Sequence, residues 1–431
     1  MSRIENLKDN VYQATLKRLE YIFNEFDNIY VSFSGGKDSG VLLNLTLQYA
    51  SETGMLHKLG VFHIDYEAQY SETTNYVDRV YSSLPKEVEN LRCCVPLKCP
   101  TSTSMFETYW RPWEESKKDI WVRDLPDKYL SKKDFDFITD DMSDYDFQKR
   151  FSLWYHEKRK AKKTCVLIGI RAEESLDRWR TIVSDRNINK YKNTPWTTKM
   201  YDNVYNAYPI YDWTTEDIWT AYAKFGWDYN KLYDLFYYAG VPLGSMRVAS
   251  PFHDAAKANL SLYRAIDPNV WGKMVSRVNG VNFTAIYGGT KAMGWKNISK
   301  PKHFTWKQYA VFLLETLPKE IADNYRAKLE TSIKFWRNKG GVLSDEAIQD
   351  LRDAGVKFEV GEKTNYKTDK KPVRMEYIDE IDSRDFTLIP TWKRLCITIL
   401  KNDHVGKYMG FSQTKKEMAK RKAALEKYRN L

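Results

Sequence analysis

Apolar residues at Ile4, Leu7, Val11, Leu19, Ile22, Phe23 and Phe26 fall at spacings dominated by three and four, which predicts an amphipathic helix in the first segment. The pattern then changes. Asn28-Ile29-Tyr30-Val31-Ser32-Phe33 is β-branched and aromatic, as a buried strand requires, and a glycine turn separates it from Val41 to Leu47, which reads as a buried helix. A second apolar run, Leu59 to Asp65, ends in a carboxylate and is followed by a helix beginning near Ser71. Further short runs at Leu91 to Leu97 and Thr164 to Ile170 complete an alternation of strand and helix, the pattern of a parallel sheet. The expected fold class is therefore α/β, a doubly wound parallel sheet.

Residues from about 100 to 163 break this rhythm with dense aromatics and mixed charge, exemplified by Tyr109-Trp110-Arg111-Pro112-Trp113, and are read as an insertion. Its tryptophans either pack the insert on the core or stack on a base, and packing is favoured. Past residue 250 helical patterns dominate, including Trp306 to Leu317 and the Lys/Glu-rich stretch Lys415 to Lys422. The expected domains are a core over 1–250 and a helical C-terminal region over 251–431. A chain of 431 residues exceeds the length at which one core usually keeps growing, which fits that division.

Composition narrows the class. An apolar fraction of 42%, with 14 Trp, 30 Tyr and 19 Phe, excludes general disorder. The absence of an apolar stretch of about 18 residues, and of a signal-like N-terminus, leads to the expectation of a soluble protein without a membrane span. Five irregularly spaced cysteines fit a reducing, cytoplasmic compartment rather than a disulfide framework. The net charge of +11 raises nucleic acid as a partner, but a solvated basic surface explains the same number.

The candidate chemistry lies in Ser34-Gly35-Gly36-Lys37-Asp38-Ser39, between strand and helix. A loop opening a helix gathers backbone N–H groups where phosphate oxygens are stabilised. Gly35 and Gly36 permit close approach, Lys37 neutralises phosphate charge, and Ser34 and Ser39 supply hydroxyl donors; Asp38 either holds a magnesium ion or braces the loop. The spacing is not that of Walker A, and a plain tight glycine turn is the bland alternative. At the end of the fourth strand, Arg171 and Arg178 offer planar forks for phosphate or sulfate, and Glu173 or Glu174 orients an arginine or ligates a metal, unless the group is only a helix-start salt-bridge cluster. Asp65 ends its strand at the same sheet edge and is a candidate for ribose or metal contact, whereas the lone His63 reads as a packed core residue.

The hexapeptide after the first strand resembles the loop of the ATP pyrophosphatase superfamily (PP-loop, adenine nucleotide alpha hydrolase-like). The stretch from Gly169 to Arg178 and the segments Tyr208 to Trp219 and Tyr229 to Asp234 resemble phosphoadenosine phosphosulfate (PAPS) reductases. The resemblance implies binding of ATP or PAPS with magnesium. It also implies cleavage of ATP between the α and β phosphates, which forms an adenylate on an acceptor and releases pyrophosphate. Lys37 and the loop amides would stabilise the leaving group, Asp38 would hold the metal, and Arg171 or Arg178 would hold the acceptor or the α-phosphate.

The chain departs from the reductases in lacking a Glu-Cys-Gly-type motif. Cys396 lies in an apolar run that predicts a buried, inert thiol, and Cys93, Cys94 and Cys99 lack the spacing of a metal site. Arg111-Pro112-Trp113-Glu114, with Lys401 to His404 and Lys407 to Phe411, resembles a reductase-like subfamily of phages and mobile elements that often neighbours a ParB-like partner. Adenylation is the first expectation; a reductase with an unrecognised cysteine is the second. The third is a nucleotide-sensing regulator acting on DNA or a partner protein through residues 411–431, which carry seven Lys/Arg against two Glu.

Overall fold

The computed structural model describes residues 9–411 apart from 105, 175–189, 244–245, 249, 253–259, 288–297, 299 and 362–369. The chain forms two compact units. The first comprises Met1–Cys99, Arg111–Pro251 and Leu262–Arg277, and the second Pro100–Trp110, Phe252–Ser261 and Val278–Leu431.

The first unit is built on a six-stranded sheet of β1 (Asn28–Ser32), β2 (Leu59–Ile64), β3 (Glu89–Cys93), β4 (Thr164–Ile168), β5 (Thr197–Tyr201) and β6 (Val204–Ala207). Its spatial order is β3-β2-β1-β4-β6-β5, parallel throughout except for β5 against β6. The chain runs outward from β1 through β2 to β3, then returns to the other side of β1 as β4. That reversal makes the sheet doubly wound and opens a crevice at the carboxyl ends of β1 and β4.

Side chains of β1 alternate between two cores, as the period of two requires. Ile29 and Val31 face α1 (Val11–Glu25) and α2 (Lys37–Glu52) in a cluster with Leu19, Phe23, Leu42 and Leu45. Tyr30 faces the opposite way, its ring centroid 5.5 Å from Tyr155 and 5.7 Å from Phe151. Both partners belong to α3 of the far face, Asp144–Lys158, which therefore carries the crossover from β3 to β4. The stretch read as an insertion thus divides: 100–110 belongs to the second unit, while 144–158 is an integral covering helix.

Local caps behave as their chemistry dictates. Asn10 and Gln13 form a reciprocal box at the start of α1. Thr214 does the same with Asp217 ahead of α4 (Thr215–Phe225), which ends on Gly226 in the left-handed region at φ +64°. The 197–207 hairpin and α5 (Leu232–Tyr238) were not anticipated, because their short polar-aromatic sequences have no clear period.

In the second unit, α6 (Trp306–Thr316), α7 (Lys319–Asn338), α8 (Asp345–Asp353) and α9 (Trp392–Leu400) supply the helical content that was expected. A three-stranded antiparallel sheet of Gly341–Leu343, Phe358–Val360 and Lys371–Met375 was not foreseen; two of its strands span only three residues, and the third begins Lys-Pro and carries an internal arginine. Asn402 Nδ2 and His404 Nε2 meet the carbonyls of Ser102 and Ser104 at 3.5 and 3.0 Å, so this turn clasps the 101–104 segment. The basic stretch 412–431 and the helix expected at 415–422 lie outside the described residues, as does the first turn and a half of the N-terminal helix pattern. Among the described residues no helix is long and apolar enough to cross a membrane.

Candidate functional site

Ser34 to Ser39 leave β1 and enter α2 at the crevice where the sheet reverses. Gly35 adopts φ +77°, a conformation that a side chain would strain, and its carbonyl accepts a 2.9 Å hydrogen bond from Asn230 Nδ2. Ser39 Oγ donates to the carbonyl of Gly36 at 3.1 Å and lies 2.9 Å from Ser34 Oγ. Both hydroxyls therefore close the loop upon itself.

Gly36 is the N-cap of α2, so the first N–H groups beyond it have no partner within the helix. One is already taken: Lys37 N–H donates to the hydroxyl of Tyr233 at 3.0 Å, while the carbonyl of Lys37 accepts from Tyr222 at 2.8 Å. The Lys37 ammonium is 2.8 Å from Asp38 Oδ2, which uses one of its three donors.

Asp38 also receives Arg171 Nε on its other oxygen at 2.6 Å, joining the end of β4 to the start of α2. The Arg171 guanidinium is 2% exposed and donates further to Glu173 Oε2 at 2.7 Å, to the carbonyl of Trp213 and to Thr215 Oγ1. Glu173 in turn accepts from the amide of Thr215 at 3.0 Å, and Glu174 Oε1 is 3.8 Å from Arg171 Nε. This group holds the end of β4 and the starts of α2 and α4 in one register, with Arg171 as its strut. Gly169 completes the approach: a Cβ there would lie 3.1 Å from the Cα and N of Ser39. Arg178 lies outside the described residues.

Both oxygens of Asp38 carry a cation, so this carboxylate does not suit a magnesium ion as arranged, and its geometry is that of a brace. Among the described residues no group of three or more His, Cys, Asp or Glu side chains is placed to hold a metal.

Asp65 is brought into a different constellation. It is 0% exposed, with Arg92 Nη2 at 2.9 Å on one oxygen and Arg123 on the other. Burial alone would raise its pKa, but Arg123 and Arg92 outweigh it and hold the carboxyl well below its usual range. Two residues on, Glu67 has φ +64° and is equally buried; it accepts from Arg277 Nε at 2.8 Å and from the amides of Trp113 and Val122 at 2.6 and 3.0 Å. These charges pin 111–123 to the end of β2. A cleft of about 420 Å3 within the same unit is lined by Lys118, Trp121, Arg123, Lys273 and Ser276.

His63 is buried in β2 with Nδ1 2.8 Å from the carbonyl of Phe33, and burial pushes its pKa down to about 4. All five cysteines are buried; burial pushes the thiols of Cys93, Cys94, Cys99 and Cys165 up, and that of Cys396 up to about 12. The contributions of Tyr222, Asn230, Tyr233, Arg92, Arg123 and Arg277 had not been read from the sequence. Asn230 and Tyr233 fall in the segment that resembles the reductases, which was the available signal.

Residues 28–240 match the family described as the phosphoadenosine phosphosulfate reductase domain, and residues 240–420 match a domain of unknown function, DUF3440. Among solved structures, a PAPS reductase from Candida auris in a phosphate complex is similar at 15% identity and a TM-score of 0.31, covering 56% of this chain and 89% of that one. An FMN adenylyltransferase from Candida glabrata gives 16% identity and a TM-score of 0.29, with 54% and 62% covered. A relative with extended sequence similarity is the "Uncharacterized protein YbdN" of Escherichia coli (strain K12), 34% identical over 411 residues, 94% of this chain and 91% of that protein. The chain belongs to the family of that protein, with a phosphoadenosine phosphosulfate reductase domain followed by a DUF3440 domain.

Proposed function

We propose that the first unit binds ATP at the Ser34–Ser39 loop and cleaves it between the α and β phosphates, transferring adenylate to an acceptor and releasing pyrophosphate. The observation that carries this reading is the placement of Lys37 at the start of α2, in the crevice of the sheet, with two of its three ammonium donors unspent on Asp38. An ammonium and open helix N-terminal amides suit the charge that develops on a departing pyrophosphate. Arg171, spent on protein partners, acts as a positioning residue for Asp38 and thereby for Lys37. The phosphates carry magnesium with them in solution, and no step is assigned to the ion.

The buried cysteines favour adenylation over PAPS reduction. A reductase needs an accessible thiolate, whereas each of these thiols is enclosed and its pKa is raised. Calorimetric titration with ATP and magnesium, and separately with PAPS, tests the reading when combined with assays for pyrophosphate and for thioredoxin-dependent sulfite. Tight ATP binding with pyrophosphate release that Lys37→Ala abolishes supports it. Sulfite release from PAPS, lost on changing one cysteine to Ser, replaces it.

A further inference from the structure

We infer that Tyr233 is a phosphate-binding residue of the loop: its hydroxyl accepts the N–H of Lys37 and gives its own proton to a phosphate oxygen of the bound nucleotide. The inference rests on the nucleotide reading above and extends it to a residue far from the loop in sequence.

The tyrosine is held firmly. Its ring is 4% exposed and meets Trp219 edge to face, with centroids 5.3 Å apart at 79°. The turn before it is tied to the loop by Asn230, whose Nδ2 donates to the Gly35 carbonyl at 2.9 Å and whose Oδ1 accepts from the Leu232 amide at 3.0 Å. The hydroxyl thus arrives over the Gly36-Lys37 peptide by construction. A Cβ on Gly36 would lie 3.4 Å from it, so the glycine keeps this space clear.

A hydroxyl both accepts and donates. Here the accepting half is used by Lys37 N–H at 3.0 Å, while among the described residues no acceptor takes the phenolic proton. A buried donor left unspent costs free energy that a ligand acceptor recovers. The Lys37 ammonium lies 5.8 Å from the same ring centroid, so a cation and a neutral donor converge on one volume beside the open amides of α2. Burial, reinforced by the charge of Asp38, raises the phenol's pKa well above its ordinary value, and the proton stays available as a donor at neutral pH. A phosphate oxygen is the acceptor that this set of donors recognises.

The test is Tyr233→Phe, which keeps the ring and its packing and deletes only the hydroxyl. Calorimetry with ATP and magnesium should show the Kd rising roughly tenfold or more, the scale of one hydrogen bond to a charged acceptor. Tyr222→Phe is the comparison, since that hydroxyl supports the Lys37 carbonyl instead; its Kd should rise severalfold less than that of Tyr233→Phe. Thermal denaturation of both variants checks that the fold is retained. Unchanged or tighter ATP binding by Tyr233→Phe overturns the inference, because the hydroxyl would then only cap or block the Lys37 amide. An equal loss in both variants also overturns it, because the tyrosines would then be acting on loop position. Failure of the wild-type chain to bind ATP ends the nucleotide reading and this inference together, whereas wild-type binding with an indifferent Tyr233→Phe ends this inference alone.

Discussion

Arg171 Nε donates a 2.6 Å hydrogen bond to Asp38 Oδ1 across 133 residues of sequence, while the other oxygen of Asp38 holds the Lys37 ammonium at 2.8 Å. One carboxylate therefore spaces two cations and fixes the lysine at the mouth of the loop. In this arrangement the carboxylate braces both cations.

Asp38→Asn should accordingly damage both function and stability. The amide can accept from one cation only and turns its NH2 group toward the other, leaving a guanidinium that is 2% exposed short of a partner. Pyrophosphate release should fall roughly a hundredfold, the scale seen when one preorganised electrostatic group is lost. The melting temperature should drop as well. A steady-state assay beside thermal denaturation measures both, and a variant with wild-type turnover would remove Asp38 from the site.

Gly169→Ala is expected to act through geometry alone. The added methyl meets backbone atoms of Ser39 at 3.1 Å, and backbone cannot swing aside as a side chain can. The strain should cost about 1–3 kcal/mol in urea denaturation and weaken ATP binding, since the displaced atoms belong to the first turn of α2. Stability loss with fully retained affinity would show that the helix start does not contact the nucleotide.

Glu67→Gln addresses the buried charges behind the 111–123 segment. Glu67 and Arg277 are each enclosed, and breaking such a pair from one side costs about 3–5 kcal/mol. Adding Arg277→Met should recover part of the loss by removing the stranded cation. A double variant no more stable than Glu67→Gln alone would show that the two residues do not act as a pair.

The pH dependence of stability should carry the signature of His63. Its folded pKa of about 4 lies below the ordinary 6.5, so the unfolded chain binds the proton more strongly between those values. Folding stability should be unaffected by this residue above pH 6.5 and should decline as pH falls from 6.5 toward 4, by on the order of 3 kcal/mol. Asp65 acts in a lower window: its depressed pKa gives stability that is lost only below the usual carboxylate range. Denaturation curves for His63→Gln should be flatter between pH 6.5 and 4, and an unchanged slope would refute the assignment.

Much of the core was legible because its causes are local. The strands at 28–32, 59–64 and 164–168, the loop between β1 and α2, and the Thr214 cap follow from side-chain period and turn chemistry within a few residues. The α/β parallel-sheet class followed from the same alternation, whereas the order of the strands did not. The 197–207 hairpin and the small sheet of the second unit were not legible, since their short strands mix polar and charged residues and form no apolar run like those of β1 and β4.

The sequence by itself determined which residues form the loop, that it joins a strand to a helix, and that no cysteine motif of a reductase is present. Only the tertiary structure decided the partners. Strand order set Arg171 on Asp38 and brought Tyr233 to Lys37 across 196 residues, and the fold placed Asp65 in a buried cluster with Arg92 and Arg123. Periodicity encodes which face of an element is buried. It carries no information on which distant element covers that face, because that choice is made by the crossovers and by the pairing of buried charges.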